Sequence, residues 1–160
     1  MARIALLLAA LLAAGPLAAA ETPIRIQNPI PFTDGRRIDP EMIESCDIQQ
    51  KFTDAVVREM KGRIVAVPAP LSTAQGRALK LEIVDSDWSG NWFIGHLQVI
   101  RTRGTLYEDG RKVAGFEGMR QVSGGDLTSG CFNLNATFRA AAYDIRRWLK
   151  KPVDGARIGR

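Results

Sequence analysis

The chain of 160 residues contains one histidine and two cysteines. A lone imidazole cannot supply the usual zinc ligand sets, and without a Cys-x-x-Cys pair the thiols offer no redox dyad. The sequence also lacks G-x-S-x-G, H-E-x-x-H, a Walker loop and a calcium loop, so the familiar hydrolase, metalloprotease and nucleotide-binding chemistries have no local signature. No run of five or more basic residues occurs, which argues against nucleic acid. Beyond the N-terminal residues no apolar stretch reaches the roughly eighteen residues a transmembrane helix needs.

What stands at the N-terminus reads as a signal peptide over residues 1–20. Arg3 gives a short positive region, residues 4–14 an apolar run, and Ala18-Ala19-Ala20 the small-residue pattern for cleavage. The break at Gly15-Pro16 argues against a retained anchor, and no cysteine follows for lipid attachment. A mature chain from Glu21, periplasmic or secreted, is therefore expected. The net charge of +5 falls to +4 once Arg3 is removed, a mild excess that fits ordinary solubility better than a strongly anionic partner.

In an oxidising compartment the pair Cys46 and Cys131 suggests one disulfide, with two buried free thiols as the competing reading and a catalytic nucleophile a distant third. The length suits one domain over residues 21–150, followed by a disordered tail at 151–160 after Pro152 stops the last helix.

Ile24-Arg25-Ile26 reads as a short strand, and Pro29, Pro31 and Asp34-Gly35 read as turns. A helix beginning near Asp39-Pro40 or Ser45 and ending by Gly62 carries Ile48, Phe52, Val56 and Met60 as one apolar stripe. Ile64-Val65-Ala66-Val67 is a brief buried or edge strand closed by Pro68. Leu79, Leu81 and Ile83 alternate with Lys80 and Glu82, the pattern of a sheet covered on one side. Asp109-Gly110 supplies the two positive-φ positions of a tight hairpin turn between strands over 96–107 and 112–122. Within that hairpin the apolar parity changes midway, and Gly104 reads as a bulge that resets it. Cys131, Leu134, Phe138, Ala141, Ala142, Ile145, Trp148 and Leu149 trace the face of a second helix, with Arg139, Tyr143, Arg146, Arg147 and Lys150 opposite. The expected fold is α+β: a mostly antiparallel sheet of four to five strands with two helices packed on one face.

Two features are candidate binding sites. Residues 87–93 read as a loop that gathers Trp88, Trp92 and Phe93, two of only three tryptophans in the chain; such clusters bind partners or fold over the end of a sheet. Arg101, Arg103, Arg111 and Arg120 could form a basic patch on the solvent side of the hairpin, against the plainer reading of charges that protect a sheet edge. Asp85, Asp87 and Glu108 are the carboxylates available for paired acid–base work, and His96 reads as a strand residue rather than a base.

The order of elements, with Leu81-Glu82-Ile83-Val84-Asp85, Gly90-Asn91, Gly95, Leu97-Gln98-Val99 and Tyr107-Glu108-Asp109-Gly110-Arg111-Lys112-Val113 before a final amphipathic helix, resembles small bacterial envelope lipoproteins of uncharacterised families. Their domains are similar to the curli-secretion lipoprotein and the penicillin-binding-protein activator lipoprotein. The resemblance covers residues 24–150 and implies an α+β sandwich with a non-enzymatic envelope role; the missing lipid-attachment cysteine departs from it. The expectations are thus a protein-binding or assembly factor that is not an enzyme and needs no cofactor or metal, with another envelope protein as partner. The alternative is a binder of lipopolysaccharide or glycan through the four arginines, and a hydrolase is the third reading.

Overall fold

The computed structural model describes residues 22–38, 40–91, 95–124 and 130–159. The signal-peptide expectation for residues 1–20, and Trp92 and Phe93, lie outside the described residues. In chain order the elements are β1 (Ile24–Asn28), β2 (Phe32–Ile38), α1 (Pro40–Cys46), α2 (Ile48–Met60), β3 (Ile64–Pro68), β4 (Arg77–Asn91), β5 (Gly95–Glu108), β6 (Arg111–Gly124), α3 (Gly130–Lys150) and β7 (Ala156–Ile158).

The hairpin is the part that local chemistry dictates most directly. Asp109 and Gly110 sit at φ 48° and 80°, the pair of left-handed positions its turn requires. The turn is also clamped from outside. Asp109 Oδ1 accepts from the Gly76 N–H at 2.7 Å, and the Gly110 N–H donates to the Thr73 carbonyl at 2.9 Å. β4, β5 and β6 form the long antiparallel centre of the sheet.

Around that centre the sheet differs from expectation. It has seven strands among the described residues, in the order β3-β1-β4-β5-β6-β7, with β2 also pairing β4. The pairings β1–β3, β1–β4, β2–β4 and β6–β7 are all parallel. The expected mostly antiparallel sheet of four to five strands with two helices is therefore corrected to a mixed sheet of seven with three helices. Parallel neighbours need a long crossover, and helices provide it: the chain returns from β1 to β3 by way of α1 and α2, and from β6 to β7 through α3.

Four local readings change as well. The single first helix is split, because Asp47 adopts the left-handed conformation at φ 46° and separates α1 from α2; Asp tolerates that region better than most residues. Asp34-Gly35 lies inside β2, an irregular strand whose register shifts between Phe32 and Arg37. Residues 87–91 continue β4 rather than forming a loop. The tail is not disordered at 156–158: Ala156, Arg157 and Ile158 pair with Phe116, Glu117 and Gly118. The Trp148 indole N–H helps hold it by donating to the Val153 carbonyl at 3.0 Å.

The core lies between the sheet and the helices. All the expected stripe residues of α2 and, from Leu134 onward, of α3 are buried. Phe52 meets Phe138 at 5.5 Å between ring centroids, and Phe116 meets Trp148 edge-on at 4.8 Å. On β5 the buried positions are Gln98, Ile100, Thr102, Gly104 and Leu106, one unbroken parity. The expected change of face at Gly104 does not occur. The register shifts lie between Ile83 and Asp85 on β4, and where Leu106 and Tyr107 face Ala114 and Lys112 on β6. Gly104 answers a packing need instead, since a Cβ there would fall 2.2 Å from the Phe116 ring.

Cys46 and Cys131 form the disulfide, with Cα atoms 5.4 Å apart. It fastens the end of α1 to the start of α3, which disposes of the free-thiol and nucleophile readings.

Candidate binding face of the sheet

Strand alternation sends one set of side chains toward the helices and leaves the other set on a face that no helix among the described residues covers. On β5 that second set includes Arg101 and Arg103, both exposed. Val84 of β4, Glu117 and Met119 of β6 and Arg157 of β7 join them around a shallow groove of about 330 Å³. A second depression of about 360 Å³ adjoins it, sharing Arg103, Glu117 and Arg157 and extending to Lys112 and Asp154.

The electrostatics of the groove follow from register. Arg101 stands opposite Asp85 across the β4–β5 ladder and is ion-paired to it. Arg103 lies between Glu82 and Glu117 in the ladder, yet Glu82 pairs with Lys80 at 3.1 Å. Among the described residues neither Arg103 nor Arg157 is in an ion pair. The groove thus presents two uncommitted guanidinium groups, one carboxylate and the apolar Met119, which is 38% exposed. At its far rim Lys112 meets Asp154 at 2.9 Å. The hydrogen bond from the Lys112 ammonium is the main reason the Asp154 carboxyl is held below the usual aspartate range.

The four expected arginines are not brought together. Arg101 and Arg103 share the open face. Arg111 is exposed at the hairpin tip, in register with Glu108, whose carboxylate contacts Arg77 at 3.1 Å. Arg120 turns the other way, toward α3, and grips Asp144 with two hydrogen bonds of 2.6 and 3.0 Å. Its register position opposite Ile100 explains why, because Ile100 belongs to the buried parity. Trp88 is described by its backbone path alone, in register with Gln98. His96 is likewise a ladder position, opposite Gly90 and Gly124.

The candidate carboxylates do not converge either. Glu108 lies at the Arg77 end of the β4–β5 ladder and Asp85 well along it, each with its own arginine. No group of three or more His, Cys, Asp or Glu placed to hold a metal ion occurs among the described residues. No helix among them is long and apolar enough to cross a membrane.

Sequence reasoning missed Glu117, Met119 and Arg157. The first two stand opposite Arg103 and Arg101 only because of the register shift at Leu106 and Tyr107; counting from the turn at Glu108 and Arg111 without it would put Phe116 opposite Arg103 and reverse the parity. Arg157 was not legible either, because nothing in the tail announces a parallel strand.

No family model and no curated protein matches the sequence. Solved structures similar to this chain include a hypothetical protein from Chlamydia trachomatis, with TM-score 0.48 and 9% identity over 81% of this chain and 95% of that one. A DUF330 protein from Xanthomonas campestris gives 0.45 and 17%, covering 81% and 82%. A minor lipoprotein from Acinetobacter baumannii gives 0.36 and 6%, covering 79% and 89%. At these TM-scores none of the three carries an argument about function, and the fold rests on the elements described above.

Proposed function

We propose that this chain is an exported envelope protein that docks another envelope protein on the open face of its sheet and carries out no reaction of its own. The observation that carries the reading is the composition of that face. Met119 and Val84 offer apolar contact, and among the described residues Arg103 and Arg157 lack ion partners and no helix covers them. A partner surface with an apolar anchor flanked by carboxylates fits this arrangement, since buried apolar contact supplies affinity and charge complementarity sets orientation. The disulfide and the leader-like N-terminus support an oxidising, extracytoplasmic location. The alternative, binding of lipopolysaccharide or glycan by Arg101, Arg103, Arg111 and Arg120, is weakened because Arg101 and Arg120 already neutralise Asp85 and Asp144.

Photocrosslinking in living cells tests the proposal. A photoreactive residue at position 119 is expected to capture a discrete protein adduct, lost when Arg103→Glu and Arg157→Glu are added. The same residue at exposed position 143 on α3 serves as control. No adduct at 119, or equal capture from 143, would refute the reading.

A further inference from the structure

The opposite surface of the molecule holds a second feature, independent of the open sheet face. On α2 Lys51 lies three and four residues before Asp54 and Ala55, and Arg58 lies four and three after them, so the four form a single stripe. Asn135 and Arg139 stand four apart on α3 and form another. The two stripes meet along the seam where α2 packs on α3 and line a groove of about 370 Å³, within the size range of small-molecule sites.

Its charge is predominantly positive. Six basic side chains elsewhere are matched with carboxylates: Arg77, Lys80, Arg101, Lys112, Arg120 and Arg146. Among the described residues Lys51, Arg58 and Arg139 have no ion pair, although they line one groove. Asp54 is the single carboxylate there, and its Oδ1 accepts from the Gln50 amide at 2.9 Å. Three cations and one carboxylate leave an excess of two positive charges at the seam.

We infer that the α2–α3 seam binds a phosphate ester of a polyol. Two arginine forks and a lysine ammonium suit the tetrahedral oxygens of a phosphate, whose negative charge, up to two in a monoester and one in a phosphodiester headgroup, is complementary to the excess. Asp54 would oppose a bare anion, but beside a phosphate its free oxygen accepts from a hydroxyl. Asn135 both donates and accepts, and serves the same end. The ligand is therefore a phosphate with neighbouring hydroxyls, such as glycerol phosphate, either soluble or as a lipid headgroup.

The test uses the mature, disulfide-bonded protein. Titration with glycerol 3-phosphate followed by calorimetry reads the soluble source. Flotation with vesicles of phosphatidylglycerol, against phosphatidylcholine vesicles, reads the lipid source. Binding in either arm that falls at least tenfold in Lys51→Gln/Arg58→Gln/Arg139→Gln, and is unchanged in Arg103→Gln/Arg157→Gln, supports the site. Asp54→Asn should then weaken glycerol 3-phosphate relative to inorganic phosphate. No binding in either arm, or equal loss in both sets of variants, overturns it. The three side chains are solvent-accessible, so the seam variant is expected to keep its thermal midpoint; if it does not, Arg58→Lys/Arg139→Lys replaces it and must weaken binding while staying folded.

Discussion

Replacing Gly104 by alanine puts a methyl group where the structure has no room. The ideal Cβ would lie 2.2 Å from Phe116 Cε1 and 2.5 Å from Cζ, far inside van der Waals contact. An exposed side chain would swing away. Phe116 cannot do so freely, since it is 2% exposed and its ring abuts Trp148 at 4.8 Å. Overpacking of this kind costs about 1–3 kcal/mol, while removing a strand glycine returns roughly 0.5–1 kcal/mol through the unfolded state. The clash wins, for a net loss of about 1–2 kcal/mol. For a domain of this size that lowers Tm by roughly 3–8 °C. Thermal unfolding followed by circular dichroism reads it, and Phe116→Leu supplies the control. If the ring is the obstacle, the two substitutions together should cost less than their sum by about 1 kcal/mol. A Gly104→Ala protein that melts at or above the wild-type temperature, or strict additivity in the double variant, would refute the packing argument.

Three further outcomes follow from the same fold. Because Cys46 and Cys131 are 85 residues apart in sequence, replacing both with alanine should cost about 4–5 kcal/mol on the chain-entropy estimate. Equal denaturant midpoints with and without the bridge would show that it constrains nothing. Asp144→Asn keeps shape but removes the charge from the two-pronged contact with Arg120, whose side chain is 31% exposed. A loss of about 1–2 kcal/mol is expected in chemical denaturation, reduced from a fully buried pair by solvent screening. The depressed Asp154 carboxyl stabilises the fold when ionised, so its contribution is present above the ordinary aspartate pKa and fades as pH falls through the lower folded value. An NMR titration of the side-chain carboxyl should give a midpoint below the usual aspartate value that rises in Lys112→Met; a midpoint indifferent to that change would discount the pair.

Side-chain period and turn chemistry alone determined the amphipathic stripes of α2 and α3, the alternation of Leu79, Leu81 and Ile83, and the hairpin at Asp109-Gly110. Each is a short-range property that a few neighbouring residues settle. The shared strand parity of Arg101 and Arg103 is a local property of the same kind. Only the tertiary structure decided which strands lie side by side across a helical crossover, because β1 meeting β3 and β6 meeting β7 depends on where α1, α2 and α3 return the chain. That geometry brought Arg157 to the open face from a tail that reads as frayed, turned Arg120 inward to Asp144, and set Lys51 and Arg58 of one helix beside Arg139 of another. Pairing between segments far apart in sequence depends on the whole packed chain, and no local pattern encodes it.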